Sequence, residues 1–353
     1  MSNRALIAQY KCWRKAGENL ALVTVVATEG STYSKAGRHI LITSSGEYVG
    51  LVSGGCLEGD LAQHAADVIK TGCTKLLTYD MRDDADEIWG IGVGCNGLIK
   101  VLVQCLDEEH KWAPFDTLAA AIEGATPKIA TLVTHSNNPD TPVGTLSLHD
   151  ANGQLIHGPE LSPPSQLPQA IKHAADISAL HWELTPWPRL LVLGAGPDAA
   201  PVCDLALGQG WDVTIADHRP AYIESPQFAS TDQSCHINPA NLHNELDCGQ
   251  FAAIVIMSHH LDTDQQYLQQ LADLLPLPGL RYLGVLGPAA RRRKLLDGLI
   301  KPAPECAALL RGPVGLDIGA NSPESIALAL ISEIQAVLWE RSGSSLGHHV
   351  GLA

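Results

Sequence analysis

Three short segments of this chain combine residue types suited to binding chemistry. Ser53-Gly54-Gly55-Cys56 sets adjacent backbone amides beside a thiol, and Glu58 follows closely. Successive amides without obstructing side chains form concavities that accept anions. Gly94-Cys95-Asn96-Gly97 again places a cysteine among glycines. A thiolate at Cys56 or Cys95 could meet a soft metal centre or carry sulfur. The plainer reading is that each is a small buried hydrophobe, which is how free cysteine usually behaves. The third segment, Gly194-Ala195-Gly196-Pro197-Asp198-Ala199, fits the dinucleotide pattern G-x-G-x-x-G/A. There Gly194 permits a tight turn, Gly196 lets backbone approach a phosphate, and Ala199 allows close helix–strand packing. Pro197 suits a first helical turn but lacks an N–H, which removes one phosphate donor.

These residues need elements to hold them. Leu190 to Leu193 is a continuous apolar strand that runs into the Gly-rich turn, and Ala200 to Gly208 continues as a helix. Trp211 to Ala216 forms the next strand and ends in Asp217, where a ribose-binding acid is expected. Further strands are expected over Phe251–Ser258, Tyr282–Leu286 and Val314–Ile318, each followed by a helical stretch. That alternation predicts a doubly wound parallel sheet with ligands at the carboxyl ends of its strands. His259, Gly287 and Asp317 fall near such ends. His260 points away from its neighbour and reads as a surface residue. Arg291 to Lys294 reads equally well as a phosphate contact or a solvated helix face. Ser322, Pro323 and Glu324 together form a helix start.

The N-terminal half has a different grammar. Leu20 to Ala27 is a β-branched run, and His39–Thr43 and Glu47–Val52 flank the turn Ser44-Ser45-Gly46 as a hairpin. Leu57 to Thr71 carries Leu61, Ala65 and Val68 at helical spacing, with Gly72 as its stop. An acidic loop from Asp80 to Glu87 leads to Gly90–Gly97 and then the strand Leu98–Val103. Ile129 to Thr134 echoes Leu22 to Ala27, and the interval from Gly37 to Gly46 recurs from Gly144 to Gly153. Either the segment is duplicated or two hairpins merely look alike. Pro- and Ser-rich stretches from 159 to 188 read as a linker. The chain therefore divides into an N-terminal mixed α/β domain, 1–188, and a C-terminal Rossmann-like domain, 189–353.

Bulk properties narrow the function classes. The chain has 353 residues, 45% hydrophobic and 17% charged, the balance of a folded two-domain protein. Lys and Arg number 23 against 38 Asp and Glu, a net charge of −15 that argues against nucleic-acid binding. No run approaches the ~18 apolar residues of a membrane span, and Met1 to Glu18 has no signal-peptide character. The nine cysteines include no C-x-x-C pair and are expected to be reduced in the cytoplasm. Zinc-protease and P-loop motifs are absent. His348-His349 reads as part of a terminal tail.

Taken together, these segments resemble the XdhC/CoxI family, accessory proteins of xanthine dehydrogenase and related molybdenum hydroxylases. The resemblance covers most of the chain. It rests on Val25-Val26-Ala27-Thr28-Glu29-Gly30-Ser31, Ser53-Gly54-Gly55-Cys56-Leu57-Glu58 and Gly94-Cys95-Asn96-Gly97. In the second half it rests on Leu193-Gly194-Ala195-Gly196, Asp217-His218-Arg219, Ile256-Met257-Ser258-His259 and Tyr282-Leu283-Gly284, with Gly312 to Gly319 completing it. Three departures stand out: Asn96 where glycine is common, Gly287-Pro288-Ala289 for a Gly-Ser-Arg type segment, and Pro197-Asp198 where a His-containing turn is common.

The resemblance implies a carrier rather than a catalyst. Such a protein binds molybdenum cofactor, as molybdopterin or its cytosine dinucleotide form, and protects it during sulfuration by a cysteine desulfurase. It then helps insert the cofactor into a hydroxylase apoenzyme. The implied site lies between the Ser53–Cys56 loop, the Gly94–Gly97 loop and the Rossmann cleft. Its candidate contacts are Ser53, Gly54, Gly55, Cys56, Glu58, Gly94, Cys95, Gly97, Gly194, Gly196, Ala199, Asp217, Arg219, His259, Gly287 and Asp317, with Cys56 and Cys95 toward metal. Two other readings stay open: an NAD(P)-dependent oxidoreductase with His259 as proton donor, and a cofactor-free docking scaffold. A homodimer is the default assembly.

Overall fold

The computed structural model describes residues 2–82, 97–161, 163, 169–173 and 177–346. The chain splits into two units, Met1–Pro186 and Trp187–Ala353. The first begins with α1 (Asn3–Lys15), whose N-terminus is capped by Ser2 and which buries Leu6, Ile7 and Tyr10. The alternating run Leu20–Gly30 forms β1, and His39–Thr43 (β2) and Tyr48–Gly50 (β3) complete a hairpin. Helix α2 (Glu58–Thr71) ends at Gly72 in the left-handed conformation, as its sequence predicts. Strands β4 (Lys75–Asp80) and β5 (Gly97–Leu106) complete an antiparallel five-stranded sheet in the order β3-β2-β1-β5-β4. One face of it, with Ala21, Val23, Ile40 and Ile42, packs under Leu61, Ala65 and Val68 of α2. Two-residue alternation in the strands and three- to four-residue spacing in the helix thus meet in one core.

After α3 (Phe115–Glu123) the pattern repeats. Strands β6 (Lys128–His135), β7 (Leu146–Asp150), β8 (Leu155–His157), β9 (Gln169–His173) and β10 (Ile177–Leu184) form a second sheet in the order β8-β7-β6-β10-β9. Strand for strand, this is the order of the first sheet. The glycines correspond as well: the Gly37 amide donates to the Val25 carbonyl and the Gly144 amide to Val133, both at 2.8 Å. Gly46 and Gly153 close the following turns onto Thr43 and Asp150. The echo between Leu22–Ala27 and Ile129–Thr134 is therefore structural. The expected linker over 159–188 needs correction, because it holds β9 and β10, both paired within the second sheet. Proline-rich composition around 159–168 obscured an alternating strand immediately after it.

The second unit is built around a six-stranded parallel sheet, with β11 (Arg189–Leu193), β12 (Asp212–Asp217), β13 (Gln233–His236), β14 (Ala253–Ile256), β15 (Tyr282–Val285) and β16 (Leu310–Arg311). Its order, β13-β12-β11-β14-β15-β16, is the doubly wound dinucleotide-binding arrangement, with the switch point between β11 and β14. Helices α4 (Ala199–Gly208) and α7 (Pro323–Leu338) pack on one face around Val192, Val255 and Trp211. On the other, α5 (Leu261–Leu274) and α6 (Ala289–Asp297) contribute Tyr267, Leu271 and Leu295.

The strand expected at Val314–Ile318 is instead a loop after β16. Gly315 and Gly319 have φ of 99° and 76°, which turns the chain out of an extended path. Its amides also bond elsewhere: Gly315 donates to Glu333 at 2.8 Å and Leu316 to the Ala329 carbonyl at 3.1 Å, both on α7. No helix among the described residues is long and apolar enough to cross a membrane.

Candidate functional site

Within the second unit, the carboxyl ends of β11, β14 and β15 surround a pocket of about 370 Å³ lined by Asp198, Met257, His259, Gly287, Asn321 and Ser322 among others. Gly194, at φ 122°, lets the turn pass close to the end of β14: a Cβ there would lie 2.6 Å from the backbone of Met257 and Ser258. Gly196 is nearly as constrained, since a Cβ would meet the Asp198 carboxylate at 2.7 Å and the His259 ring at 3.4 Å. Ala199 is fully buried where α4 starts, the close-packing position its motif assigns.

Two of the residues that line the pocket, Asp198 and His259, form a pair that spacing did not reveal. His259 Nε2 lies 2.8 Å from both carboxylate oxygens of Asp198. Asp198 is the N-cap residue of α4, yet its side chain makes no cap bond and turns to the imidazole instead. Pro197 therefore precedes the cap rather than occupying the first turn. His259 has φ of 62°, an uncommon backbone for a residue with a Cβ, and its side chain is 57% exposed. Such strain persists where the surroundings enforce it, often at ligand sites. An acid directly inside a Gly-rich turn was the available sequence signal for Asp198. Asn321, immediately before the capping box of Ser322 and Ser325, had no signal of its own.

Other expected contacts are spent within the fold. Asp217 is fully buried: Oδ2 accepts from the Ala195 amide at 2.7 Å, Oδ1 from the Arg219 amide at 2.9 Å, and both face the Arg219 guanidinium. Burial raises its pKa, but the Arg219 guanidinium and these amides outweigh burial and hold it below the usual carboxylate range. Arg219 in turn stacks 3.7 Å over Tyr222. In this geometry the acid braces the Gly-rich turn, so a ribose could use it only by displacing Arg219.

Asp264, also fully buried, accepts from the Ser258 hydroxyl and amide and from Arg291 at 2.6 and 3.0 Å. Arg292 donates to the carbonyls of Leu310 and Ala307 at 2.8 Å. Half of the basic cluster is thus structural, and its first arginine fixes Gly287, whose added Cβ would fall 2.7 Å from Arg291 Cδ. His260 is exposed and its ring caps α5 at Thr263. Asp317 is exposed on the loop after β16 and is not among the residues lining the pocket.

In the first unit, the Ser53 loop carries its own anion. Glu58, 1% exposed, accepts from the amides of Val52 at 3.1 Å and Ser53 at 2.8 Å and from the Ser53 hydroxyl at 2.5 Å. Burial would raise its pKa, yet the Ser53 and Val52 donors hold it below its ordinary value. The Ser53 hydroxyl also receives the amides of Gly55, Cys56 and Leu57 at 3.0–3.3 Å. The expected cradle is therefore filled from within. What stays open is the surface: a Cβ on Gly54 or Gly55 would meet nothing within 4 Å, and Cys56 beside them is half-buried. Gly97 acts by close packing, since a Cβ would collide with Thr32, Glu29 and Ser31 at 2.6–2.7 Å. Gly94 and Cys95 lie outside the described residues. Among the described residues no three His, Cys, Asp or Glu side chains are grouped to hold a metal.

Comparison with known proteins follows the same division. Residues 190–334 match the family described as the XdhC Rossmann domain, and residues 13–80 match the XdhC and CoxI family. A Bacillus subtilis relative, named as a probable xanthine dehydrogenase subunit, is 32% identical over 90% of this chain and 92% of its own length. Escherichia coli PaoD, named a molybdenum cofactor insertion chaperone, is 23% identical over 91% of this chain and 84% of its own. A crystal structure from Bacillus halodurans, titled a xanthine dehydrogenase, superimposes with a TM-score of 0.75 and 28% identity, covering 98% of both chains.

Proposed function

The chain belongs to the XdhC and CoxI family, and from that premise we propose that it binds molybdenum cofactor as cargo, shields it during sulfuration by a cysteine desulfurase, and delivers it to a xanthine dehydrogenase-type hydroxylase. The observation that carries this reading is the pocket at the switch point of the parallel sheet. Its walls, with Val202, Ile326 and Leu330 among them, are almost wholly apolar and suit the face of a flat heterocycle, and Asp198, His259 and Asn321 are among the residues that line it. The name of the PaoD relative supports the same cargo, and that of the Bacillus subtilis relative supports a hydroxylase partner. Gly54, Gly55 and Cys56 supply a second surface for cargo or partner in the other unit, and Gly94 and Cys95 remain part of the proposed contacts. The proposed assembly is a homodimer, and the cargo is molybdopterin with or without a cytosine nucleotide.

The nicotinamide reading draws on the strand order and the Gly-rich turn. Two features weigh against it: Arg219 occupies the acid meant for ribose, and Asp198 places a carboxylate where α4 would receive a pyrophosphate. The test incubates purified protein with cofactor released from a hydroxylase and measures retained molybdenum and pterin after gel filtration. Stoichiometric retention that falls in His259→Ala and Gly196→Asp supports the proposal. Wild-type protein that retains nothing, or that instead binds NADH at micromolar concentration in a fluorescence titration, overturns it.

A further inference from the structure

The second glycine of a G-x-G-x-x-A turn leaves room for a phosphate to approach the backbone. At Gly196 that room is filled from within. A Cβ there would lie 2.7 Å from Asp198 Oδ1 and 3.4 Å from His259 Cδ2, so a carboxylate and an imidazole already cover the face of the glycine. The two are paired, with His259 Nε2 at 2.8 Å from both carboxylate oxygens. Asp198 is the N-cap residue of α4 but makes no cap bond, and its charge is turned back over the turn instead.

The backbone has lost donors as well. Pro197 and Pro201 have no N–H. Gly194 donates to the Ala216 carbonyl at 2.8 Å, Ala195 to Asp217 at 2.7 Å, and Ala199 to the Gly196 carbonyl at 3.0 Å. Between Gly194 and Pro201 the amides of Gly196, Asp198 and Ala200 remain, and the Asp198 carboxylate lies over the first of these residues. A phosphate brought to this turn would miss donors that a helix start normally supplies and would meet a like charge. The adjoining pocket is walled by Val202, Met257, Leu286, Ile326 and Leu330, which suit an uncharged ring.

We propose that Asp198, paired with His259, sets the ligand specificity of this pocket by barring phosphate from the Gly-rich turn. The pocket then takes an uncharged flat heterocycle whose phosphate or nucleotide arm points away from α4. The heterocycle rests on the cargo reading above, whereas the exclusion of phosphate does not. The turn keeps the shape of a dinucleotide motif but supplies the negative charge itself, as Glu58 does at the Ser53 loop.

The experiment uses the full chain and three probes: 6-hydroxymethylpterin, its phosphate monoester, and ADP. In fluorescence titrations the wild type should bind the two pterins with affinities within about twofold of each other, and calorimetry should show no saturable heat with ADP. Asp198→Asn removes the charge at unchanged size, and Asp198→Ser combined with Pro201→Ala also restores an amide. Each should bind the phosphate monoester at least about tenfold more tightly than the wild type does, the weight of a hydrogen bond to a charged group. The double variant should also acquire ADP binding. Asp198→Glu, which keeps the charge, should acquire neither property. Circular dichroism checks the fold of each variant, and Asp198→Asn decides if the double variant does not fold. A wild type that prefers the phosphate monoester by about tenfold or binds ADP at micromolar concentration overturns the proposal. So does affinity for the monoester that is unchanged in Asp198→Asn. Wild type that binds neither pterin, beside variants that gain ADP, overturns the cargo reading and upholds the exclusion of phosphate.

Discussion

Replacing Asp264 with alanine tests whether the buried network beneath the pocket holds the second unit together. The carboxylate has no exposed surface and receives four donors: the amide and hydroxyl of Ser258 and two nitrogens of Arg291. Its removal leaves a guanidinium that is 21% exposed without its partner and strands the Ser258 amide. Breaking one side of a buried ion pair costs about 3–5 kcal/mol, far more than the pair contributes against an apolar replacement. For a folding unit of this size, each kcal/mol shifts Tm by about 2–4 °C, so the expected loss is on the order of 6–20 °C. Differential scanning calorimetry of the full chain should show the transition of the second unit moved by that amount and that of the first in place. The double variant Asp264→Ala with Arg291→Ala should be less destabilised than the two single losses added together. A shift worth less than about 1 kcal/mol, or strict additivity in the cycle, refutes the reasoning.

Three further outcomes follow from the same geometry. His39 is buried and its pKa is pushed down to about 4, first by desolvation and then by Arg38, so the unfolded chain binds its proton more readily than the folded one. Stability from this group is intact above the unfolded value near 6.5 and lost as pH falls toward 4, by about 3 kcal/mol in all; denaturant titrations of His39→Leu, which copies Leu146 of the second repeat, should show a flatter acid limb than wild type. Gly194→Ala should destabilise the second unit by at least about 2 kcal/mol in urea melts, because a Cβ there would sit 2.6 Å from backbone and at positive φ; a neutral variant would mean that the turn is not held as described. His259→Ala should change Tm by less than about 2 °C, since the ring is 57% exposed, while lowering cofactor retention; a large loss of stability would make His259 a structural residue rather than a ligand contact.

What the sequence made legible was local and ordered. Strand, Gly-rich turn, helix, strand and acid from Leu190 to Asp217 announce a Rossmann unit because each step constrains its neighbour. Helix Glu58–Thr71 announces itself through the spacing of Leu61, Ala65 and Val68 and the stop at Gly72. Side-chain direction was not legible. Ser53-Gly54-Gly55 reads as an empty anion nest, but whether Ser53 and Glu58 turn inward to fill it depends on burial that only the packed sheet creates. Asp217 reads as a ribose acid for the same reason, until Arg219 is seen to claim it. Val314–Ile318 carries the alternation of a strand, yet Glu333 and the Ala329 carbonyl, both remote in sequence, take its amides.

The duplication in the first unit sets different residues at equivalent positions of its two sheets. In the first, Val23 pairs with Ile40 and Val103, an apolar row covered by α2. One repeat on, Thr131 pairs with Ser147 and His181, and all three are fully buried, as is His149. The segment that takes the place of α2 in chain order carries Pro159, Pro163, Pro164 and Pro168. Thr131 meets His181 at 2.8 Å, while Ser147 Oγ and His149 Nδ1 have no partner among the described residues. At equivalent positions the first repeat thus buries an apolar row and the second buries hydroxyls and imidazoles, each of which needs a partner inside the fold.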